Sequence, residues 1–177
     1  MAIDKIQSES INLADNFAFT GTVTGAGGTN TPAFMARLSS SQTLANDTHT
    51  TVVFQTEDFD VGSDYDNSTG IFTCGEAGKY LFGGSLFFID GNGNISDMIG
   101  YIHSTISSSA SQDLIIRSES TSNGTLFTDK SNSWTQMYTL GVGDAIKIQA
   151  WQETNNSSSV SIGHGRKSYF WGIKIIE

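Results

Sequence analysis

Between Phe54 and Phe82 the aromatic, acidic and glycine residues stand in a pattern that restricts the fold more tightly than any other stretch. Phe54, Asp60, Tyr65, Phe72 and Gly78 lead into Tyr80 and Phe82, which alternate. In an extended strand successive side chains point to opposite faces. Tyr80, Phe82, Gly84, Leu86 and Phe88 therefore share one face, and Leu81, Gly83, Ser85, Phe87 and Ile89 share the other. Both faces carry apolar groups and both need cover. One layer of a sandwich covers only one of them, so a neighbouring subunit is expected on the second. The rest of the chain alternates short strand-like runs with Gly, Asn, Asp and Ser clusters, and no window shows convincing 3.6-residue periodicity. The expectation is an all-β sandwich or jelly roll.

The spacing from Phe54 to Phe82 resembles the signature of the complement C1q-type globular head, a relative of the tumour necrosis factor jelly roll. The family has a further aromatic two residues after Phe82, where this chain has Gly84, so one core contact is expected to be weaker. Three more blocks carry the resemblance. Ala33–Leu38 is similar to the family's first strand, Leu140–Ile148 to its Leu-x-x-Gly-Asp turn and strand, and Ser168–Ile175 to its closing Ser-x-Phe-x-Gly strand. The resemblance implies a homotrimeric binding module without an active site. Residues 90–133 carry no family signature, and variable loops are where binding specificity usually sits.

A chain of 177 residues accommodates one domain with a full core. Charged residues make up only 15%, with 19 glycines and one proline, which suits a sheet protein with many turns. The net charge of −9 repels phosphate backbones and anionic lipid, which argues against nucleic acid and membrane surfaces as partners. No apolar run reaches the length of a spanning helix, and the first twenty residues lack the pattern of a signal peptide. Classical secretion is therefore not expected. Cys74 is the only cysteine, so no disulfide forms within the chain, and it reads as a small packed residue beside the Gly75–Gly78 turn or else a reactive thiol.

Residues 1–32 read differently from 33–177, which form the expected head. Ile3, Ile11, Leu13, Phe17, Phe19 and Val23 all occupy odd positions, so an extended arm would present them on one face, before the glycine-rich run 25–32 breaks it. Such an arm must bury that face against its own head, a sister subunit or something larger. Attachment through Ile11, Leu13, Phe17 and Phe19 is one reading; a disordered or simply packed terminus is the other.

Trp151 lies on a strand whose opposite face holds Ile146, Ile148 and Ala150, and Tyr169, Trp171, Ile173 and Ile175 share one face of the last strand. These five residues are expected to be buried between subunits about a threefold axis. Asn92, Asn94, Asn123 and Trp134 are candidate ligand contacts, the amides for sugar hydroxyls and the ring for a sugar face; exposed turns and one core ring are the plainer alternative.

Other chemistry has little support. The run Asp90-Gly91-Asn92-Gly93-Asn94 imitates the opening of a Ca²⁺ loop, but Ile95 and Tyr101 occupy the positions that need Gly and Glu. Glu57, Asp58, Asp60, Asp64 and Asp66 form a second acidic cluster; some relatives hold Ca²⁺, yet a solvated face with a structural Asp60 is the expectation. His49, His103 and His164 form no metal-ligand spacing, and there is no Gly-x-Ser-x-Gly elbow. No catalytic residue and no cofactor are expected.

The functional expectation is a non-catalytic trimeric head on a virion surface. Bacteriophages carry heads of this type, and the arm 11–19 is loosely similar to sequences that precede them. It would act as a capsid decoration or as a fibre tip binding a host-surface glycan or protein, held to a capsid or fibre protein by the arm. The alternative is a free extracellular lectin-like module.

Overall fold

The computed structural model describes residues 32–90, 95–105, 114–119 and 129–175, the backbone alone for 114–119. The arm residues Ile11, Leu13, Phe17 and Phe19 and the loop residues Asn92, Asn94 and Asn123 lie outside the described residues.

The described strands form two antiparallel sheets. The first contains β1 (Ala33–Leu38), β2 (Gln42–Leu44), β4 (Thr56–Val61), β7 (Gly78–Ile89), β10 (Asp129–Leu140), β12 (Val160–Ile162) and β13 (Gly165–Lys174). Its order is β2-β12-β7-β13-β1-β4, and β10 also pairs with β7, in register from Gly78–Leu140 to Ile89–Asp129. The second contains β3 (Thr50–Thr51), β5 (Tyr65–Asp66), β6 (Ile71–Thr73), β8 (Ile95–Thr105), β9 (Leu114–Glu119) and β11 (Ala145–Thr154). It runs β5-β6-β11-β8-β9, with β3 also on β11. This is a jelly-roll sandwich, as the alternation and turn chemistry predict.

The Phe54–Phe82 spacing is the core. Phe54, Tyr65, Phe72, Tyr80 and Phe82 are all buried, together with Phe34 from β1 and Phe170 from β13. Phe34 stacks on Tyr65 from the opposite sheet at 4.9 Å between ring centroids, and meets Phe170 edge-on at 5.0 Å. Phe72 and Phe82 also meet edge-on, at 5.1 Å, again from opposite sheets. Offset and edge-to-face geometries are those the ring quadrupole favours, worth roughly 0.5–1.5 kcal/mol per pair beyond burial. Asp60 earns its place through backbone chemistry: its Oδ2 accepts the Tyr65 N–H at 3.2 Å. The Tyr65 hydroxyl in turn accepts from the Phe54 N–H and donates to the Phe54 carbonyl, both at 3.2 Å. It thereby satisfies backbone groups where the chain is not in a strand.

The two remaining motifs are also structural. In the Leu140–Asp144 turn, buried Asp144 accepts the Gly141 N–H at 2.7 Å, and Gly143 adopts φ 87, a left-handed conformation that glycine adopts without steric cost. Backbone bonds from the Cys74 N–H to the Asp144 carbonyl and from the Gly143 N–H to the Cys74 carbonyl, each 2.8 Å, weld this turn to the end of β6. In the closing strand, buried Ser168 accepts the Phe87 N–H at 3.0 Å just beyond the end of the β7–β13 pairing. A Cβ on Gly172 would stand 2.5 Å from Phe82 and 2.7 Å from Phe34, so glycine is what admits both rings.

Gly84 does not leave a gap. A Cβ there would lie 2.6 Å from the Trp134 ring, and Trp134 is buried at 7% exposure. The indole of β10 fills the space that an aromatic two residues after Phe82 would otherwise take, so the expected weak core contact is corrected.

Gly172→Ala is expected to overpack the ring cluster and cost about 1–3 kcal/mol, lowering Tm by several degrees in a chain of this size. Ser168→Ala is expected to cost about 1–3 kcal/mol by leaving the Phe87 N–H unpaired. Calorimetric melting of both variants checks this, and unchanged Tm values would contradict the assigned roles.

Candidate functional site

With the rings turned inward, the outward face of the first sheet decides what this molecule can contact. Two rungs cross it. In one, Phe59, Met35, Trp171, Gly83 and Thr135 are successive register partners across β4, β1, β13, β7 and β10. In the other, Val61, Ala33, Ile173, Leu81 and Met137 follow the same path. Phe59 and Val61 are each 46% exposed and Met137 is 53% exposed. Only the Thr135 end of the ten positions is polar. The Trp171 ring lies against Gly83, where any Cβ would collide with it. The next rung, Arg37, Tyr169, Ser85 and Ser133, is more polar, so the apolar area has an edge.

The second sheet presents a different surface. Trp151 points outward from β11, while Ile146, Ile148 and Ala150 point into the core. Its Nε1 donates to Asp47 Oδ1 at 3.1 Å. The His49 ring lies 6.5 Å from Trp151 and 4.9 Å from Tyr101 of β8, reaching across β11.

These positions divide the residues that the sequence grouped. Tyr169, Trp171 and Ile173 lie half-buried on the first sheet, with Ile175 just beyond β13, but Trp151 belongs to the outer face of the other sheet. The five do not make one surface within a subunit, because β11 and β13 lie in opposite layers. Trp134 is a correction: it is a core ring packed against Gly84, so no sugar can stack on it. Met35, Phe59, Val61 and Met137 were missed. The signal for Met35 was its alternation with Phe34 and Ala36, whereas the inclusion of Phe59 and Val61 depends on the β1–β4 register.

Asp58, Asp64 and Asp66 of the acidic cluster make local contacts. Asp58 pairs with Arg37 at 2.9 Å, and Asp66 accepts from the Ser68 N–H at 2.8 Å and its hydroxyl at 2.6 Å. Those Ser68 bonds hold the Asp66 carboxyl below its ordinary range. Asp64 lines an open cleft of about 240 Å³ with Pro32, Gly62, Gly75 and Glu76. Burial, then the charge of Asp60, holds its carboxyl above the ordinary value; Glu76 adds to this and a hydrogen bond to the Gly75 backbone opposes it. Among the described residues no group of three or more His, Cys, Asp or Glu is placed to hold a metal ion. Asp90 is buried, and residues 91–94 of the Ca²⁺-like run lie outside the described residues. His49, His103 and His164 sit on three different segments. Burial pushes the Cys74 thiol up, and the side chain packs in the core, which makes it a structural residue.

A sandwich with this topology and a ring-filled interior belongs to the class of C1q and tumour necrosis factor-like jelly rolls. The family model for the C1q domain matches residues 33–174, and the chain belongs to that family. C1q domains are non-catalytic binding modules that typically assemble as trimers. The globular domain of zebrafish complement 1qA protein is similar, with a TM-score of 0.59 at 19% identity over 82% of this chain and 98% of that one. The Eiger tumour necrosis factor from S. frugiperda superposes with a TM-score of 0.60 at 16% identity, over 82% of this chain and 92% of that one. Murine APRIL gives 0.60 at 13% identity, over 81% and 98%. At these identities the solved structures speak for the fold alone. No curated protein matches the chain.

Because the folded chain keeps the Asp64 proton to higher pH than the unfolded chain, the linked stability is full below the ordinary carboxylate range. It declines as pH rises through the raised value. Asp64→Asn is therefore expected to melt at or above the parent at neutral pH, with the difference vanishing in acid, where the parent is protonated too. A lower Tm at neutral pH would show that the carboxylate bond to Gly75 outweighs the burden of its charge.

Proposed function

We propose that the chain is a non-catalytic homotrimeric binding head displayed on a virion surface and fixed there by its N-terminal arm. The observation that carries the trimer is the pair of apolar rungs on the first sheet, which leaves Phe59, Val61 and Met137 in water in a single subunit. Closing that face about a threefold axis buries it, and the half-buried Tyr169, Trp171, Ile173 and Ile175 become subunit contacts. Trp151 is not part of that contact in this reading. The support for attachment is the one-sided arm, whose Ile11, Leu13, Phe17 and Phe19 would dock on a capsid or fibre protein. The role is then a capsid decoration or a fibre tip that engages a host-surface glycan or protein, without a metal or other cofactor. Three sites held rigidly by the trimer raise a weak single-site affinity by roughly 10²–10⁴ when the target spacing matches.

A second reading is a free extracellular lectin-like module. Membership of the C1q family favours it, since such domains are typically secreted or extracellular.

Met137→Glu tests the trimer, because the side chain is 53% exposed in one subunit and the substitution is expected to leave the subunit's own core intact. A buried unpaired carboxylate costs several kcal/mol, so light scattering at micromolar concentration is expected to give a trimer for the parent and monomers for the variant. A monomeric parent, or a variant that stays trimeric, would sink the proposed interface. For attachment, residues 1–177 and a chain beginning at Ala33 are compared. Trimers of equal stability, with only the longer one sedimenting with purified particles, are expected. If loss of the arm dissociates or unfolds the head, the arm belongs to the fold and the attachment role fails.

A further inference from the structure

The outer face of the second sheet carries a small site that the trimer contact does not use. Trp151 projects from β11 with its indole half-exposed, flanked by exposed His49, and Tyr101 stands beyond the imidazole. The ring is fixed in place. Asp47 accepts from its Nε1 at 3.1 Å, and Asp47 itself adopts φ 52, a left-handed turn conformation that aspartate enters more readily than most non-glycine residues.

The surroundings of Asp47 are built from β11. The Asp47 N–H donates to the Gln152 carbonyl at 2.9 Å, and Asn46 Oδ1 accepts from the Thr154 N–H at 2.9 Å and its hydroxyl at 3.0 Å. The turn is thus bolted to the strand that carries the tryptophan. The result is a tilted aromatic floor with a carboxylate at its rim, oriented before any ligand arrives.

We propose that Trp151, Tyr101, His49 and Asp47 form a binding site for a neutral pyranose of a glycan. The apolar face of a pyranose presents C–H bonds with slight positive charge, which complement the negative face of an indole. Asp47 accepts from sugar hydroxyls, and the imidazole of His49 exchanges hydrogen bonds with them. A net charge of −9 and the carboxylate at the rim repel sialylated or sulfated sugars, which is why the class is neutral. The site is open and shallow, so a single contact is weak and the binding rests on the multivalency of the proposed trimer.

The three indole N–H resonances of the full chain, from Trp134, Trp151 and Trp171, report on the site. Lactose, maltotriose, chitotriose, sialyllactose and choline are the probes, and Trp151→Ala and His49→Ala are the variants, with the mass of each measured in the same samples. A neutral sugar is expected to move the Trp151 resonance and leave that of Trp134 in place. Trp151→Ala is expected to weaken that sugar about tenfold or more at unchanged mass and melting. His49→Ala is expected to weaken it less.

Silence toward all three neutral sugars overturns the proposal, as does a response to choline or sialyllactose alone. Sugar affinity that survives Trp151→Ala overturns it as well. If Trp151→Ala dissociates the trimer, the ring is a subunit contact and the site is lost. A monomeric parent that still binds a neutral sugar through Trp151 would sink the trimer and leave this site standing, so the two readings fail separately.

Discussion

Everything in this structure depends on rings from two sheets meeting over a backbone that makes room for them. Phe34 and Phe82 from one sheet reach Tyr65 and Phe72 of the other, and Phe170 closes the group. The contact works only because Gly172 brings β13 close beneath Phe82 and Phe34. Close-packed interiors have little tolerance for added volume, so the spacing of aromatic and glycine residues along the chain amounts to a list of which rings pass over which backbone.

Once the core takes these rings, each sheet is left with an outward face to satisfy, and the two faces are unlike. The first has long central strands and two apolar rungs, which water tolerates poorly and a second subunit would cover. On the second, Trp151 is held by Asp47 and flanked by His49, a surface suited to remain in water. In the proposed reading, assembly and recognition fall on opposite layers of one sandwich.

Much of this was legible along the chain. The signature from Phe54 to Phe82, the Asp144 turn and the Ser168–Gly172 strand each announced a local constraint that the fold uses, because each is a relation between residues close in sequence or in alternating register. Trp134 was legible only as two alternatives, a ligand contact or, more plainly, a core ring. The structure takes the second, and nothing in its own segment says that Gly84, fifty residues earlier, has left a hole for it. Trp151 was recognised as outward-facing from the burial of Ile146, Ile148 and Ala150, but alternation tells only that a residue leaves one face, not which sheet that face belongs to.

By itself the sequence determined the β class, which residues of each strand share a face, and the aromatic spacing from Phe54 to Phe82 that the core uses, since these follow from a two-residue side-chain period and from turn chemistry. Only the tertiary structure decided which strands became neighbours. That choice joined Phe59, Met35 and Trp171 into one rung, sank Trp134 against Gly84, and placed Asp47 and His49 beside Trp151 from more than one hundred residues away. The physical reason is that a sheet is held by hydrogen bonds between segments remote in sequence, so a surface made of several strands does not exist until their register does.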